Sequence, residues 1–388
     1  MAARAGYKCS YPSCLGSTIG PGILPEEFIL TGHACHIFSA SPNGPRGRGG
    51  LSDEELRSAS NCIWLCSNHA KVVDTHRGQQ FPPSLLLSYK SLREARASRE
   101  QDVTDGAFWW FHELSVIRSP VFRPDAQLRL GHATLISGNN ESGKTAICEF
   151  LSGASDTTAL DRWSRGQMED SGPSVIIQLA YFNPAEQAVR IECGPEGTLR
   201  FSLNGVELPF LPHAVRSVYL RHYLLPRPSH DADELMLISK ILRLDSVHVE
   251  NIIPRIWTVG VNVEKLWLDR SGNSCILRSR LRGESLDLPF LGRSHSQQAS
   301  ILIELAAAMA HFSSQYTPTL LVLDGGVHTL DQSNLSRYAT AFSSSRNRFQ
   351  TVMVLPNPPK DLSALHWAGW QVARLEGIRP VVTIVQDE

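Results

Sequence analysis

One eight-residue segment constrains the fold of this chain more than any other feature. Residues 138–145 read Gly-Asn-Asn-Glu-Ser-Gly-Lys-Thr and fit the pattern G-x4-G-K-[ST]. The run ATLIS precedes the segment and TAICEFL begins at its last residue, which predicts a strand, a loop and a helix in that order. Such a loop surrounds phosphate oxygens with backbone N–H groups, and the helix N-terminus adds positive potential. The predicted contacts to ATP with Mg²⁺ are Gly138, Asn140, Gly143, Lys144 and Thr145.

Strands and helices alternate from Phe108 onward. The apolar runs FHELSVI, ATLISG, SVIIQLAYF, AVRIECG, PTLLVLD and TVMVLP predict strands, and GKTAICEFLSG and ILIELAAAMAHF predict helices. Near-continuous apolar strands alternating with helices are typical of an α/β fold with a covered sheet. Residues 194–290 give no clear pattern.

The second half carries further segments in a characteristic order. Leu320–Asp324 predicts a buried strand that ends in an acid, Asp331 follows seven residues later, and Ser294-His-Ser-Gln-Gln precedes an apolar helix. This order resembles the Walker B, D-loop and signature segments of compact ABC-type, SMC-like ATPases. The resemblance implies that Asp324 serves Mg²⁺ and that Ser294 touches the γ-phosphate held by a second subunit, in a homodimer or higher oligomer. Helix capping by Ser294 or Ser296 is the alternative interpretation.

The same half departs from the ATPase pattern at its catalytic positions. Gly325 stands where an ABC ATPase has its catalytic glutamate, and Pro356-Asn357 stands where the switch histidine is expected. Gln178 is a stray candidate for the glutamine loop. General-base assistance is worth about 10²–10⁴-fold. We therefore expect ATP binding with slow hydrolysis, or hydrolysis through another residue.

The first 78 residues are rich in turns and contain little apolar sequence, so a structural metal is expected to stabilise them. Cys9 and Cys14 form C-x4-C, and Cys66 and His69 form C-x2-H. Together they supply the four ligands of a closed tetrahedral zinc site. The alternative is four unrelated residues in a loop-rich segment.

Between these pairs lies an ordered set of residues that resembles the HNH endonuclease family. The matching segments are Cys9–Cys14, His36-Ile37, Ser41–Arg46, Asn61-x3-Leu65-Cys66-x2-His69 and Asp74. The resemblance implies an α+β, zinc-bound ββα-metal module that cuts phosphodiesters with one Mg²⁺ or Mn²⁺. In that module His36 would be the general base, and Asn61 would orient it or help to hold the metal.

Two departures concern the catalytic metal. Cys35 precedes the general base where many family members have Asp or His, and Ala70 follows the last zinc ligand where many have His. Asp74 is the best replacement ligand and His33 is a second candidate, with a surface or zinc-adjacent histidine as the alternative. The glycine- and arginine-rich loop at residues 44–50 is expected to be flexible and to lie along a phosphate backbone.

These features predict an HNH module over residues 1–80, a helix and linker over 81–106, and an ABC-type ATP-binding domain over 107–388. Residues 1–100 contain 11 Lys and Arg against 8 Asp and Glu, a mild positive excess that suits a nucleic acid. No apolar run is long enough to span a membrane, and no signal peptide is recognised, so a cytoplasmic location is expected.

The leading hypothesis is an ATP-regulated DNA endonuclease, with a possible partner protein. It is similar to Septu-type anti-phage systems of bacteria, in which HNH and ABC-like modules act together. An ATP-dependent DNA clamp or adaptor whose HNH-like module does not cut is the second hypothesis. A repair ATPase with a zinc-bound docking module is the third.

Overall fold

A computed structural model describes residues 1–14, 16–101, 109–164, 173–183, 185–212, 214–221, 233–270, 274–344, 347–356 and 369–386. Asn357, which the sequence places near the expected switch histidine, lies outside these residues. Among the described helices, none is long and apolar enough to cross a membrane.

The N-terminal module is built from short strands and helices. In chain order they are β1 (Ile19–Pro21), β2 (Phe28–Leu30), β3 (Gly32–His36), α1 (Asp53–Arg57), β4 (Cys62–Cys66), α2 (Ser67–Asp74) and α3 (Pro83–Glu100). Strands β3 and β4 pair antiparallel, with His36 opposite Cys62. Helix α2 begins directly after β4, so the centre of the module is a strand–strand–helix unit.

Helix α3 lies within the segment predicted as a helix and linker, residues 81–106, and it begins at Pro83. The apolar residues Leu85, Leu86, Tyr89 and Leu92 follow the i, i+3/i+4 spacing of one helix face, and all four side chains are buried. Their apolar cluster also contains Trp110 and Phe182 from the following domain. Helix α3 is therefore part of a shared core as well as a connection between domains.

The second half contains the remaining elements. In chain order they are β5 (Trp110–Arg118), β6 (Ala126–Arg129), β7 (Ala133–Gly138), α4 (Lys144–Gly153), α5 (Asp161–Ser164), β8 (Val175–Asn183), β9 (Ala185–Cys193), β10 (Leu199–Leu203), β11 (Val206–Leu208), β12 (Arg216–Leu220), α6 (Glu234–Leu242), α7 (Ser246–Ile252), β13 (Val263–Asp269), β14 (Ile276–Leu281), β15 (Leu288–Pro289), α8 (His295–Ser313), β16 (Thr319–Leu323), α9 (Gln332–Phe342), β17 (Gln350–Leu355), β18 (Gln371–Glu376) and β19 (Thr383–Gln386).

Two sheets of this half enclose α4. One has the order β12-β16-β17-β7-β18-β19, and its strands are parallel apart from β19. The other is antiparallel, with the order β11-β10-β9-β8-β5-β6. Helix α4 shares an apolar cluster with the antiparallel sheet on one face of the parallel sheet, and α6 to α9 cover the other face. This covering explains why β7, β16 and β17 read as continuous apolar runs.

Every strand and helix named from residues 108–193 and 301–356 is present. The unassigned interval, residues 194–290, contains β10 to β15, α6 and α7. Several of these strands are short, β10 is mostly half-buried and β11 is largely exposed, so their apolar periodicity is weak.

Candidate nucleotide and metal sites

The loop between β7 and α4 has the geometry of a phosphate-binding loop. Gly143 precedes α4 with φ of 89°, and a Cβ atom there would lie 2.7 Å from Cγ1 of Val121, so only glycine fits. The Lys144 ammonium donates to the carbonyl of Gly138 at 2.8 Å and to that of Asn139. Asn140 and Thr145 are exposed at the mouth of the loop. Lys144 is therefore folded back along a loop that opens to solvent.

The polar atoms of this loop suit a nucleoside triphosphate. The buried Oγ atom of Ser142 has no hydrogen-bond partner among the described residues, and a phosphate oxygen would supply one. Burial lowers the pKa of the Lys144 ammonium, and the Asp324 carboxylate opposes that shift. An anion close to Lys144 would likewise favour its charged form.

Asp324 lies at the same edge of the parallel sheet as the loop between β7 and α4. Strand β17 separates β16 from β7, and all three are parallel, with Leu323 level with Met353 and Met353 level with Leu135. Asp324 follows β16 at the carboxyl ends of these strands, and its Oδ2 accepts a hydrogen bond of 3.3 Å from the Tyr219 hydroxyl. No local pattern indicates Tyr219, because only the parallel pairing of β12 with β16 brings it to Asp324.

The signature and glutamine-loop predictions have different outcomes. Ser294 is the N-cap of α8, where its Oγ accepts from the Gln297 backbone N–H at 3.4 Å, yet it is exposed and open to a second molecule.

Gln178 lies in the middle of β8, opposite Ser115 and Arg190 in the antiparallel sheet. The suggestion that Gln178 serves a glutamine loop is therefore wrong. Gly325, at the expected glutamate position, is buried and makes no side-chain contribution.

The two Cys/His pairs of the N-terminal module come together. The ligand atoms of Cys9, Cys14, Cys66 and His69 all lie within 4.8 Å of one another. Nδ1 of His69 is 3.1 Å from Sγ of Cys66 and 3.6 Å from Sγ of Cys9, and the Tyr11 ring stacks on the imidazole. Burial lowers the pKa of His69, which favours the neutral, metal-binding imidazole. Three thiols and one imidazole form a donor set that fits zinc.

His36 and His33 face opposite sides of one strand. Side chains alternate along β3, and its pairing with β4 is regular, so residues three apart project from different faces. His33 lies 3.0 Å from the Ser67 hydroxyl, through its Nε2. The interpretation of His33 as a partner of His36 at one catalytic metal is therefore wrong. His36 itself is exposed at the end of β3.

The Asn61 amide is occupied by the backbone. Its Oδ1 accepts from the Phe38 N–H at 2.8 Å, and its Nδ2 donates to the carbonyls of Phe38 and Leu56 at 2.9 and 3.0 Å. The side chain is buried. These bonds favour the first of the two predicted roles, the orientation of His36, because they hold the backbone of Phe38 two residues after it.

Arg46 and Asp74 form an ion pair that the sequence did not suggest. Nη2 of Arg46 lies 2.6 Å from Oδ1 of Asp74, and the Arg46 side chain is only 2% exposed. Arg48, in the same loop, pairs with Asp53. The expectation of a flexible loop that offers both arginines to a phosphate backbone is therefore wrong for Arg46, which is buried inside the module.

No protein-family model matches the chain, and no curated protein matches it. Solved structures that match include an SMC head bound to the C-winged helix domain of ScpA, with 14% identity, 72% of this chain and 98% of that chain covered, and a TM-score of 0.49. The recombination mediator RecF with ATP matches at 9% identity, with 74% and 99% covered and a TM-score of 0.46. The SMC head domain from Thermotoga maritima matches at 16% identity, with 72% and 99% covered and a TM-score of 0.43.

Proposed function

We propose that this protein is an ATP-regulated, metal-dependent DNA endonuclease. The observation that carries the proposal is the strand–strand–helix unit β3–β4–α2, which the Cys/His cluster anchors and which presents an exposed His36. The same chain carries a phosphate-binding loop in the required context of strand and helix. By its resemblance to Septu-type systems, the proposed biological role is defence against phage DNA.

The proposed chemistry uses His36 as the general base and Asp74 as the protein ligand of a divalent metal. His36 would take a proton from the attacking water, a role that suits an imidazole at neutral pH. A bound Mg²⁺ or Mn²⁺ would stabilise the charge that develops on the phosphate. Among the described residues, His36 and Asp74 belong to no group of three or more closely spaced ligands. Asp74 would therefore share the metal with DNA phosphate and water, which Mg²⁺ sites commonly do.

The proposed regulation follows from how the two halves are joined. Trp110 and Phe182 of the ATP-binding half belong to the apolar cluster of the N-terminal module. A hinge between the halves would have to expose that cluster, which is unfavourable. ATP would instead act by pairing two chains, with the exposed Ser294 of each facing the nucleotide of the other. Such pairing would bring two N-terminal modules to one DNA.

A plasmid-cleavage assay tests the proposal. Zinc-loaded protein is incubated with plasmid and Mn²⁺ or Mg²⁺, with and without ATP, beside His36→Ala and Lys144→Ala. His33→Ala is the matched control, since it removes an exposed imidazole from the opposite face of β3. We expect wild type and His33→Ala to cut, His36→Ala not to cut, and Lys144→Ala to lose the ATP effect. Wild-type cutting no faster than His36→Ala under every metal and nucleotide condition would contradict the nuclease.

A non-cleaving, ATP-dependent DNA clamp is the second candidate. The observation that favours it is the ion pair that already engages Oδ1 of Asp74, the carboxylate proposed for the metal. A clamp would bind DNA in an ATP-dependent manner, lose that binding in Lys144→Ala, and cut nothing with any metal. A gel-shift assay on the same variants separates the two candidates.

A further inference from the structure

Arg46 is a buried cation whose side chain makes four hydrogen bonds within the N-terminal module. Its Nε donates to the Ile37 carbonyl at 2.6 Å and its Nη1 donates to the Val73 carbonyl at 2.7 Å. Its Nη2 donates to the His36 carbonyl at 3.2 Å and to the Asp74 carboxylate at 2.6 Å. One guanidinium therefore joins the end of β3, which carries His36, to the end of α2, which carries Asp74.

The turn after α2 is built around the same guanidinium. The Arg46 backbone N–H donates to the Arg77 carbonyl at 3.1 Å. His76, Arg77 and Gly78 all have positive φ, and a Cβ atom on Gly78 would overlap Nη1 of Arg46. Two non-glycine residues in the left-handed region are costly, and such conformations persist only where the surroundings enforce them. The chain adopts these unfavourable backbone conformations at the turn that packs against Arg46.

We propose that Arg46 is the positioning residue of the nuclease site, setting the separation between the general base His36 and the metal ligand Asp74. This inference rests on the proposed function. Because Arg46 is buried, it would act through these two residues rather than by touching DNA. Nη2 meets Asp74 through Oδ1, which leaves the second carboxylate oxygen of this 44% exposed side chain for a metal.

Lysine cannot replace arginine in this arrangement. A guanidinium offers five N–H donors in one plane at fixed angles, whereas an ammonium is a compact charge on a flexible stem. Lysine at position 46 would keep the positive charge beside Asp74 but could not bond all four acceptors at once. Removing a residue that orients a metal ligand or a catalytic group typically lowers metal affinity or activity by about 10–100-fold.

The test compares Arg46→Lys with Arg57→Lys in the full-length, zinc-loaded protein. Arg57 is an exposed arginine at the end of α1, outside the residue 44–50 loop, so it is a matched control. We expect Arg46→Lys to cut plasmid about 10–100-fold more slowly and to need more Mn²⁺ for half-maximal cutting. Arg57→Lys should cut like wild type. Zinc content and ATP affinity should be unchanged in both variants, which a general loss of folding would not allow.

A double-mutant cycle with Asp74→Asn identifies the route of action. If Arg46 acts through Asp74, then Arg46→Lys should slow Asp74→Asn far less than it slows wild type. The inference would be overturned if Arg46→Lys cut plasmid at the wild-type rate. It would also be overturned if the two substitutions slowed cutting independently, so that their fold-losses multiply in the double variant. Either result would leave the proposed nuclease function intact. If Arg46→Lys loses its zinc, the cutting rate of Asp74→Asn alone becomes the test. A wild-type rate for Asp74→Asn would then overturn the inference. Failure of wild type to cut more than His36→Ala overturns the proposed function and this inference together.

Discussion

The Nδ1 atom of His69 lies 3.1 Å from the Sγ atom of Cys66, across the junction of β4 and α2. Tetrahedral zinc with bonds of about 2.3 Å to sulfur and about 2.0 Å to nitrogen holds such atoms roughly 3.5 Å apart. The contact therefore has nearly the separation of two ligands on one ion. Burial raises the pKa of the Cys9 thiol to about 12, and a bound cation would favour the thiolate instead.

We predict one zinc ion per chain, bound by this cluster. Cys66→Ser should lower the zinc content and make the N-terminal module sensitive to protease, because the ion replaces a larger apolar core there. Cys275→Ser, which changes a cysteine outside the cluster, should keep full zinc. Elemental analysis of the purified variants measures this, and zinc-free wild-type protein with an intact module would contradict it.

Lys144→Ala is expected to weaken ATP binding about 10–100-fold, the value of a charge-assisted contact to phosphate. Without nucleotide the ammonium bonds only to carbonyls of its own loop, so folding should be preserved. Isothermal titration with ATP and Mg²⁺ measures the loss. Lys240→Ala, on the exposed side of α6, should bind like wild type. Equal affinities for the two variants would remove Lys144 from the nucleotide site.

Tyr219→Phe tests the support of Asp324. Burial raises the pKa of Tyr219 well above its usual range, so its hydroxyl stays protonated and remains a donor to the carboxylate. Without that donor Asp324 is held less firmly, and we expect the Mg²⁺ requirement of ATP binding to rise by roughly 2–10-fold. Binding of ATP in EDTA should not change. A variant with the wild-type Mg²⁺ dependence would show that Asp324 needs no such support.

Leu86→Ala should destabilise the contact between the two halves. Leu86 is fully buried in the cluster that holds Trp110 and Phe182, and truncation of a buried leucine costs about 2–5 kcal/mol. Leu24, half exposed between β1 and β2, provides the control, and its truncation should change stability by less than about 0.5 kcal/mol. Denaturant unfolding compares the two. Similar small losses in both variants would mean that α3 is not part of the core.

The buried Glu304 side chain should make the free energy of unfolding depend on pH. This buried carboxylate accepts from the backbone N–H groups of residues 261–263 and from the Tyr338 hydroxyl, and burial raises its pKa above the ordinary 4.5. A raised pKa in the folded state contributes stability at low pH that is lost as pH rises through that value. Glutamine cannot titrate and would turn an N–H group toward these donors. Glu304→Gln should therefore be less stable than wild type by a margin that is larger at about pH 5 than at about pH 7.5, measured by denaturant unfolding. A margin that grows with pH would contradict the sign.

Sequence alone determined the features that depend on local spacing. The strand–loop–helix unit at Gly138–Thr145 could be identified because each of its parts is encoded within a few residues and needs no distant partner. The apolar runs of β16 and β17 were equally clear, because strands covered on both faces exclude polar residues. The helix within residues 81–106 was also predictable, because the spacing of its apolar residues is a local feature of the sequence.

Only the tertiary structure decided which side chains meet. The burial of Arg46, the contact of Tyr219 with Asp324 and the use of α3 as a shared core depend on contacts between residues far apart in the chain. Local periodicity carries no information about such pairing. The opposite faces of His33 and His36 followed from strand parity as soon as the bounds of β3 were known. The backbone bonds of Asn61 likewise reach Phe38, 23 positions away, which no local pattern in the sequence indicates.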